Sequence, residues 1–101
     1  MTYAATTLNT RVSQENYITT VLKLDITSYT TGGEDLSDTL AATMPNSVVA
    51  MISCVSNESA KNQIPVWDQA NKKLMAYNAD DGAQVTAATD IGEWVATFMG
   101  W

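Results

Sequence analysis

Residues 64–77 contain the local pattern that most restricts how this chain can fold. Two short apolar runs flank a polar centre of residues 68–73. Strand-forming residues on both arms and turn-forming residues between them predict a β-hairpin. Asp68 is suited to accept a backbone N–H inside the loop, and Asn71 tolerates a left-handed conformation there. Pro65 has no N–H, so we expect the first arm to lie at a sheet edge or at a bulge.

Further segments have the periodicity of strands. Residues 17–26 alternate apolar and polar side chains, which predicts a strand with one face on a core and one in water. Residues 48–55 and 94–101 are apolar on both parities, and we expect the first of them in the middle of a sheet. A short strand is also expected at residues 84–88. The frequent strands, without a βαβ rhythm, predict an all-β fold: an antiparallel β-sandwich or a small barrel, jelly-roll-like.

One segment has the periodicity of a helix. Leu36, Leu40 and Met44 recur every four residues, and three acids lie near the start, where the helix dipole favours them. Pro45 ends the segment. Because threonine and serine lower the helix propensity, we expect one short helix of one or two turns near residues 34–44.

The length of 101 residues predicts one domain, with a single β-sandwich domain at residues 17–101. Residues 1–16 are polar and rich in threonine, and their apolar side chains are widely spaced. This segment is expected to be an N-terminal arm or an edge segment. An edge strand, an arm ordered only against a partner, and a loose terminus all remain open.

Five residues are candidates for contact with another chain. Tyr3, Leu8, Arg11 and Val12 are suited to this role within the N-terminal segment, and Arg11 is the only arginine. Its planar guanidinium can pair bidentately with a carboxylate of a partner. Trp101 is expected either to fold back on the sandwich or to anchor a neighbouring subunit. We predict that the arm is mobile alone and ordered on its partner, and that removing it leaves the melting temperature nearly unchanged.

Composition argues against several classes of function. Eleven acids against five bases give a net charge of −6, and no basic cluster is present to bind nucleic acid or an anionic membrane surface. The chain has no histidine, which excludes Ser-His and Cys-His nucleophiles and histidine-ligated metals. The single cysteine, Cys54, lies in an apolar strand and is expected to be a buried structural thiol. We therefore expect no enzyme, no cofactor and no metal site.

Two groups of acids have the composition of calcium ligands, but each has a structural explanation. Residues 34–38 match no calcium-binding loop, and a helix N-terminus accounts for their acids. Acids in the turns at residues 80–93 are typical of solvated loops. No basic region followed by an apolar run begins the sequence, so we expect no signal peptide and synthesis in a cytoplasm.

The order of the segments resembles that of a known group of proteins. Residues 29–34 read Tyr-Thr-Thr-Gly-Gly-Glu, an apolar strand follows, and residues 67–74 read Trp-Asp-Gln-Ala-Asn-Lys-Lys-Leu. An acidic turn then precedes a strand at residues 92–100. Over about residues 20–101 the chain resembles small virion structural proteins of tailed bacteriophages, the group that includes head-decoration or cement proteins.

The resemblance implies a non-enzymatic protein that binds the outer surface of an icosahedral capsid and stabilises it. Its partners would be the major capsid protein and neighbouring copies of itself, as a homo-oligomer on the capsid lattice. It would be made in the host cytoplasm and located on the virion, without contact to nucleic acid or membrane. Two alternatives stay open: a tail or neck component, and a carbohydrate-binding β-sandwich with Trp67 or Trp101 as a stacking platform.

Overall fold

The computed structural model describes residues 3–12, 17–58 and 62–101, which form two antiparallel β-sheets and one short helix. The elements are β1 (Tyr3–Val12), β2 (Ile18–Ile26), β3 (Glu34–Asp35), α1 (Ser37–Ala41), β4 (Val48–Ser56), β5 (Gln63–Asp68), β6 (Lys73–Asn78) and β7 (Gly92–Gly100). Sheet A has the order β1-β2-β7-β4, and sheet B has the order β3-β6-β5. The all-β prediction is confirmed, and the fold is a sandwich.

The core lies between the two sheets and follows the alternation of the sequence. The even-numbered residues of β2 from Thr20 to Ile26, and of β7 throughout, are buried. From sheet B, the ring of Trp67 meets that of Phe98 at a centroid distance of 4.9 Å. Each fully buried large side chain contributes about 1.5–3 kcal/mol. The predicted helical stripe of Leu36, Leu40 and Met44 is also buried.

The predicted hairpin is present as β5 and β6. Its loop is closed by the Asp68 carboxylate, which accepts bonds from the Asn71 backbone N–H (3.2 Å) and side-chain amide (2.8 Å). These bonds lower the pKa of Asp68. The left-handed residue is Lys72, with φ of 56°, and not Asn71 as expected. Pro65 lies on β5, which is an edge strand, as expected. An edge strand tolerates proline because its outer side does not need the N–H that proline lacks.

The structure corrects the prediction that residues 48–55 form a strand in the middle of a sheet. β4 lies at the edge of sheet A, and its pairing with β7 is interrupted by shifts at Val49 and Ile52. Such bulges place an extra residue opposite the partner strand, so the alternation of the two faces is lost. The apolar residues of both parities therefore reflect bulges and an exposed outer face, not burial on both sides.

Two smaller predictions also differ from the structure. Residues 84–88 are not a strand; within the described residues, the pairing here is one isolated bridge between Tyr77 and Gln84. The helix is shorter than the segment 34–44, because Glu34–Asp35 pair with β6 as strand β3. The pairing with β6 holds these two residues extended, and the helix begins only after them.

The segment Tyr29–Glu34 packs against the hairpin, so the two motifs of the resemblance form one structural unit. A Cβ atom on Gly33, whose φ is 110°, would lie 2.9 Å from the Met75 side chain and 3.1 Å from the Leu74 carbonyl. No larger residue fits there without a shift. The Tyr29 hydroxyl donates to Gln84 Oε1 (3.2 Å) and accepts from the backbone of β6. Burial raises the pKa of Tyr29.

Candidate interaction surfaces

The N-terminal segment forms an edge strand in its described part. β1 pairs with β2 from Tyr3 opposite Ile26 to Val12 opposite Ile18, with a bulge at Leu8. The strand is therefore held by the backbone ladder, which its threonine-rich side chains favour. Residues 1, 2 and 13–16 of the predicted arm, and the side chain of Val12, lie outside the described residues.

Tyr3 belongs to the core and not to the surface. Its side chain is 7% exposed, and its hydroxyl donates to the Asp35 carbonyl (2.9 Å) and pairs with Thr39 Oγ1 (2.8 Å). Burial raises the pKa of its hydroxyl. This placement corrects the expectation that Tyr3 contacts another chain, because the ring has little surface left for a partner.

The other predicted contact residues are exposed. Leu8 is 52% exposed, and Arg11 lies in the exposed part of β1. Trp101 is 43% exposed, and its ring meets that of Tyr17 edge to face at 5.7 Å. Backbone bonds between Trp101 and Ser47 hold this end of the chain beside β4. Trp101 is thus anchored through its backbone and keeps part of its ring accessible.

A surface of mixed polarity, here called outer face A, covers the solvent side of sheet A. It is made by outward positions of β1, β2 and β7 and by exposed residues of β4, of which Ile52 is 58% and Val55 57% exposed. The outward direction of the β2 and β7 residues follows from the burial of the alternate residues, and that of the β1 and β4 residues follows from their register with these two strands. By register, outer face A consists of Ala4, Thr6, Asn9, Arg11, Thr19, Val21, Lys23, Asp25, Ala50, Ser53, Val55, Glu93, Val95, Thr97 and Met99, with the exposed bulge residues Leu8, Val49 and Ile52 beside them.

The charges of outer face A are divided between its two ends. Asp25 and Glu93 are paired in register at one end, where the Lys23 ammonium lies 4.0 Å from the Glu93 carboxylate. Arg11 lies at the other end, opposite Thr19. Between the ends, Val21, Val55 and Val95 lie among polar residues, which include Asn9, Lys23 and Ser53. The middle of the face is therefore of mixed polarity.

An apolar surface, here called outer face B, covers the solvent side of sheet B. Ile64 is opposite Tyr77, and Val66 is opposite Met75, so that the four side chains are neighbours on two strands. Ile64 and Val66 are exposed, while Met75 and Tyr77 are half-buried. Among the described strands, β5 also lies at the edge of the sheet. Outer face B therefore offers apolar side chains beside a strand edge to a partner.

Reactive groups are few in the described part of the chain. Burial raises the pKa of the Cys54 thiol to about 12, which keeps it protonated and unreactive at neutral pH. Within residues 3–12, 17–58 and 62–101, no three potential metal ligands cluster together. None of the helices described there is long and apolar enough to cross a membrane.

The apolar surface residues of β4 and β5 were not found from the sequence. A run that is apolar on both parities is normally read as buried on both faces, and Val49, Ile52 and Val55 fitted that reading. The one signal that pointed to exposure was Pro65, which placed its strand at an edge. Comparisons of this chain with models of protein families, with curated proteins and with solved structures find no match.

Proposed function

We propose that this chain is a non-enzymatic structural protein of a bacteriophage virion that decorates the capsid and stabilises it. The observation that supports this is outer face B, an apolar surface at the edge of a small sandwich. Its partners would be the major capsid protein and neighbouring copies of the chain. The virion role rests on the resemblance of the two sequence motifs, in their order, to virion proteins. Outer face B is the surface that we propose binds the capsid.

Outer face B is suited to bind a rigid protein surface. Ile64 and Val66 are β-branched and already fixed on a strand, so they lose little side-chain entropy on binding. Each Å² of apolar surface that they bury contributes about 25 cal/mol. A small contact of this kind becomes effective when symmetry repeats it over a capsid lattice, because each copy bridges neighbouring coat subunits.

Leu8, Arg11 and Trp101 remain proposed as further contacts to the capsid. All three are exposed, whereas Tyr3 is not. Arg11 would pair with a carboxylate of the coat protein, and the accessible part of the Trp101 ring would fill an apolar pocket. These contacts differ in position from outer face B, so single substitutions separate their contributions.

Add-back of the protein to capsids that lack it tests the proposal. The wild-type chain should sediment with particles, and Val66→Asp should weaken binding at least tenfold because it places a charge in the buried centre of the contact. Val66→Thr keeps the shape of the side chain and should bind much more tightly than Val66→Asp. Wild-type protein that never sediments with particles would refute a decoration role.

The number of copies per particle separates the head from the tail or neck alternative. Imaging of intact particles should show hundreds of copies for a protein on the head lattice, and about six or twelve for a ring at the neck. A count of about six or twelve copies would therefore favour the neck as the location of the protein.

A carbohydrate-binding role is the second candidate, and the exposed Trp101 ring beside Tyr17 favours it. Trp67 is less suited, because its ring packs on Phe98 and its Nε1 donates to Gln69. Binding of a sugar to Trp101 should quench tryptophan fluorescence, and Trp101→Ala should remove the response. An unchanged signal across a panel of glycans would remove this candidate.

A further inference from the structure

We propose that the outer edge of β1 is an interface between two copies of this chain, which pair their β1 strands antiparallel about a two-fold axis. Sheet A of one copy then continues into sheet A of the other. The contact is made by main-chain groups, so it does not need the side chains of Leu8 and Arg11. It rests on the register of sheet A and not on the virion role.

β1 is the least protected of the sheet edges that the structure describes. It has ten residues without a proline or a lysine, and residues 4–11 are exposed. By contrast, β3 has two residues, β5 contains Pro65, and the pairing of β4 shifts at two places. Short strands, prolines, charges and bulges are the usual means by which sheets block pairing at their edges. Of these, β1 has only the Leu8 bulge and the single charge of Arg11.

The register shows which backbone groups of β1 point to this outer edge. The Asn57 N–H donates to the Glu93 carbonyl, so the backbone groups of Glu93 face β4. Because this direction alternates along a strand, the groups of Trp94 face β2 and bond to Leu24, its partner there. Ala5 lies opposite Leu24 on the other side of β2. The N–H and C=O of Ala5 are therefore directed away from β2.

The same alternation identifies every residue of β1 whose backbone groups point to the outer edge. They are the residues opposite even-numbered positions of β2: Tyr3, Ala5, Thr7, Thr10 and Val12. Since these partners are evenly spaced along β2, the five outward positions are evenly spaced as well. Among the described strands, none pairs with this side of β1.

A second copy of β1 matches this row of groups along its whole length. With the two-fold axis at Thr7, Ala5 lies opposite Thr10 of the other copy, and the two Thr7 residues face each other. Threonine pairs across neighbouring strands are favourable. The Leu8 bulges come next to each other beside the axis, so the bend of one strand meets the same bend in the other. A regular strand of another protein does not have this bend, which favours a second copy as the occupant.

The charges of β1 also suit contact between two copies. The chain has a net charge of −6, so copies repel each other unless they meet through a segment without acids. β1 contains no aspartate or glutamate. In the two-fold register, Arg11 lies opposite Ala4, and the two arginines lie at opposite ends of the paired strands. No like charges are therefore brought together across this edge.

The contact is one strand wide on each side, which is small compared with the roughly 1,200 Å² of a standard interface. We therefore expect a weak, reversible dimer with a dissociation constant on the order of 100 μM. Sedimentation velocity of the isolated protein, from about 10 μM to about 2 mM, measures this equilibrium. The wild-type protein should change from monomer to dimer across the series.

Two substitutions at Ala5 test the main-chain contact. Ala5→Pro removes the outward N–H and should raise the dissociation constant at least about tenfold. The β1–β2 ladder does not use this N–H, so the variant should stay folded, which circular dichroism verifies. Ala5→Ser is the matched control, because it keeps the N–H, and it should stay within about threefold of the wild-type dissociation constant.

Hydrogen exchange of the unaltered protein, followed by NMR at low and high concentration, tests the same contact without a substitution. The amides of Ala5, Thr7 and Thr10 should gain protection as the dimer forms. Those of Thr6 and Asn9, which face β2, should not change.

Three results would overturn the proposal: a monomer at every concentration, equal dissociation constants for Ala5→Pro and Ala5→Ser, or a dimer without added protection at Ala5 and Thr10. Because no particle is present in these assays, their outcome is separate from that of the capsid add-back.

Discussion

Replacement of Tyr3 tests whether β1 is part of the folded domain in solution. Tyr3 is the residue through which the start of β1 reaches the core, and its hydroxyl contacts Asp35 and Thr39 beside the helix. Three variants separate the contributions. Tyr3→Phe removes the hydroxyl, Tyr3→Ala removes the whole ring, and Leu8→Ala truncates an exposed side chain on the same strand.

The expected changes in the free energy of unfolding differ between the three variants. Loss of a buried aromatic ring costs about 3–5 kcal/mol, so Tyr3→Ala should approach this range. The first residues of β1 can detach while the rest of the sandwich stays folded. The destabilisation caused by Tyr3→Ala therefore cannot exceed the free energy with which these residues dock on the sandwich. Loss of the hydroxyl bonds in Tyr3→Phe should cost about 1 kcal/mol. Leu8→Ala should stay within about 0.5 kcal/mol of wild type.

Urea denaturation followed by circular dichroism gives these free energies, and thermal unfolding gives an independent measure. For a domain of this size, each 1 kcal/mol lowers the melting temperature by about 4–8 °C. Deletion of residues 1–12 should then lower it too, contrary to the sequence-based expectation. If Tyr3→Ala is as stable as Leu8→Ala, the start of β1 is undocked in solution and the assignment of Tyr3 to the core is refuted.

Three other predictions follow from individual side chains. Cys54 is half-buried and its thiol pKa is about 12, so it should react with an alkylating reagent at pH 8 at least about 100-fold more slowly in the folded than in the unfolded protein; equal rates would contradict the raised pKa. Gly100→Ala should cost about 3 kcal/mol or more by urea denaturation, because the new Cβ would lie 2.0 Å from the Ser47 carbonyl oxygen. The raised pKa values of Tyr3 and Tyr29 mean that above about pH 10 the unfolded chain loses these protons while the folded chain keeps them. Stability should therefore be unaffected by these groups below pH 10 and should fall as the pH rises above it; a urea midpoint that stays constant up to about pH 11 would contradict this.

Elements that depend on local periodicity were predictable from the sequence. The alternation in residues 17–26 predicted β2, and the spacing of Leu36, Leu40 and Met44 predicted the buried side of the short helix. The hairpin followed from its turn residues, and the Asp68 side chain closes its loop. In each case, the same neighbours along the chain decide both the pattern and the structure.

Features that depend on distant pairing were not predictable. Which strand lies at the edge of sheet A is decided by the whole sheet, and nothing within β4 distinguishes burial on two faces from one buried and one exposed face. The bulges at Val49 and Ile52 also shift the alternation. Tyr3 was assigned to the surface because its own segment is polar. Its burial depends on Asp35 and Thr39, which lie far along the chain.

The same lack of local information affects the candidate surfaces. Arg11 and Leu8 were found as exposed residues because isolated apolar or charged residues in polar surroundings are easily recognised. Outer faces A and B were missed, since each combines residues from separate strands. Only the register of β4 with β7, and of β5 with β6, brings these residues together.

The position of β7 in sheet A determines when the sheet can form during synthesis. β7 is the last of the described strands in sequence order, yet it lies between β2 and β4 and pairs with both. Until it leaves the ribosome, the β1–β2 and β5–β6 pairs can form, but β2 and β4 have no common partner. Sheet A therefore forms late, through contacts distant in sequence, which makes folding slow. During that interval the inner faces of β2 and β4 are open to chaperones and to unfolded neighbours.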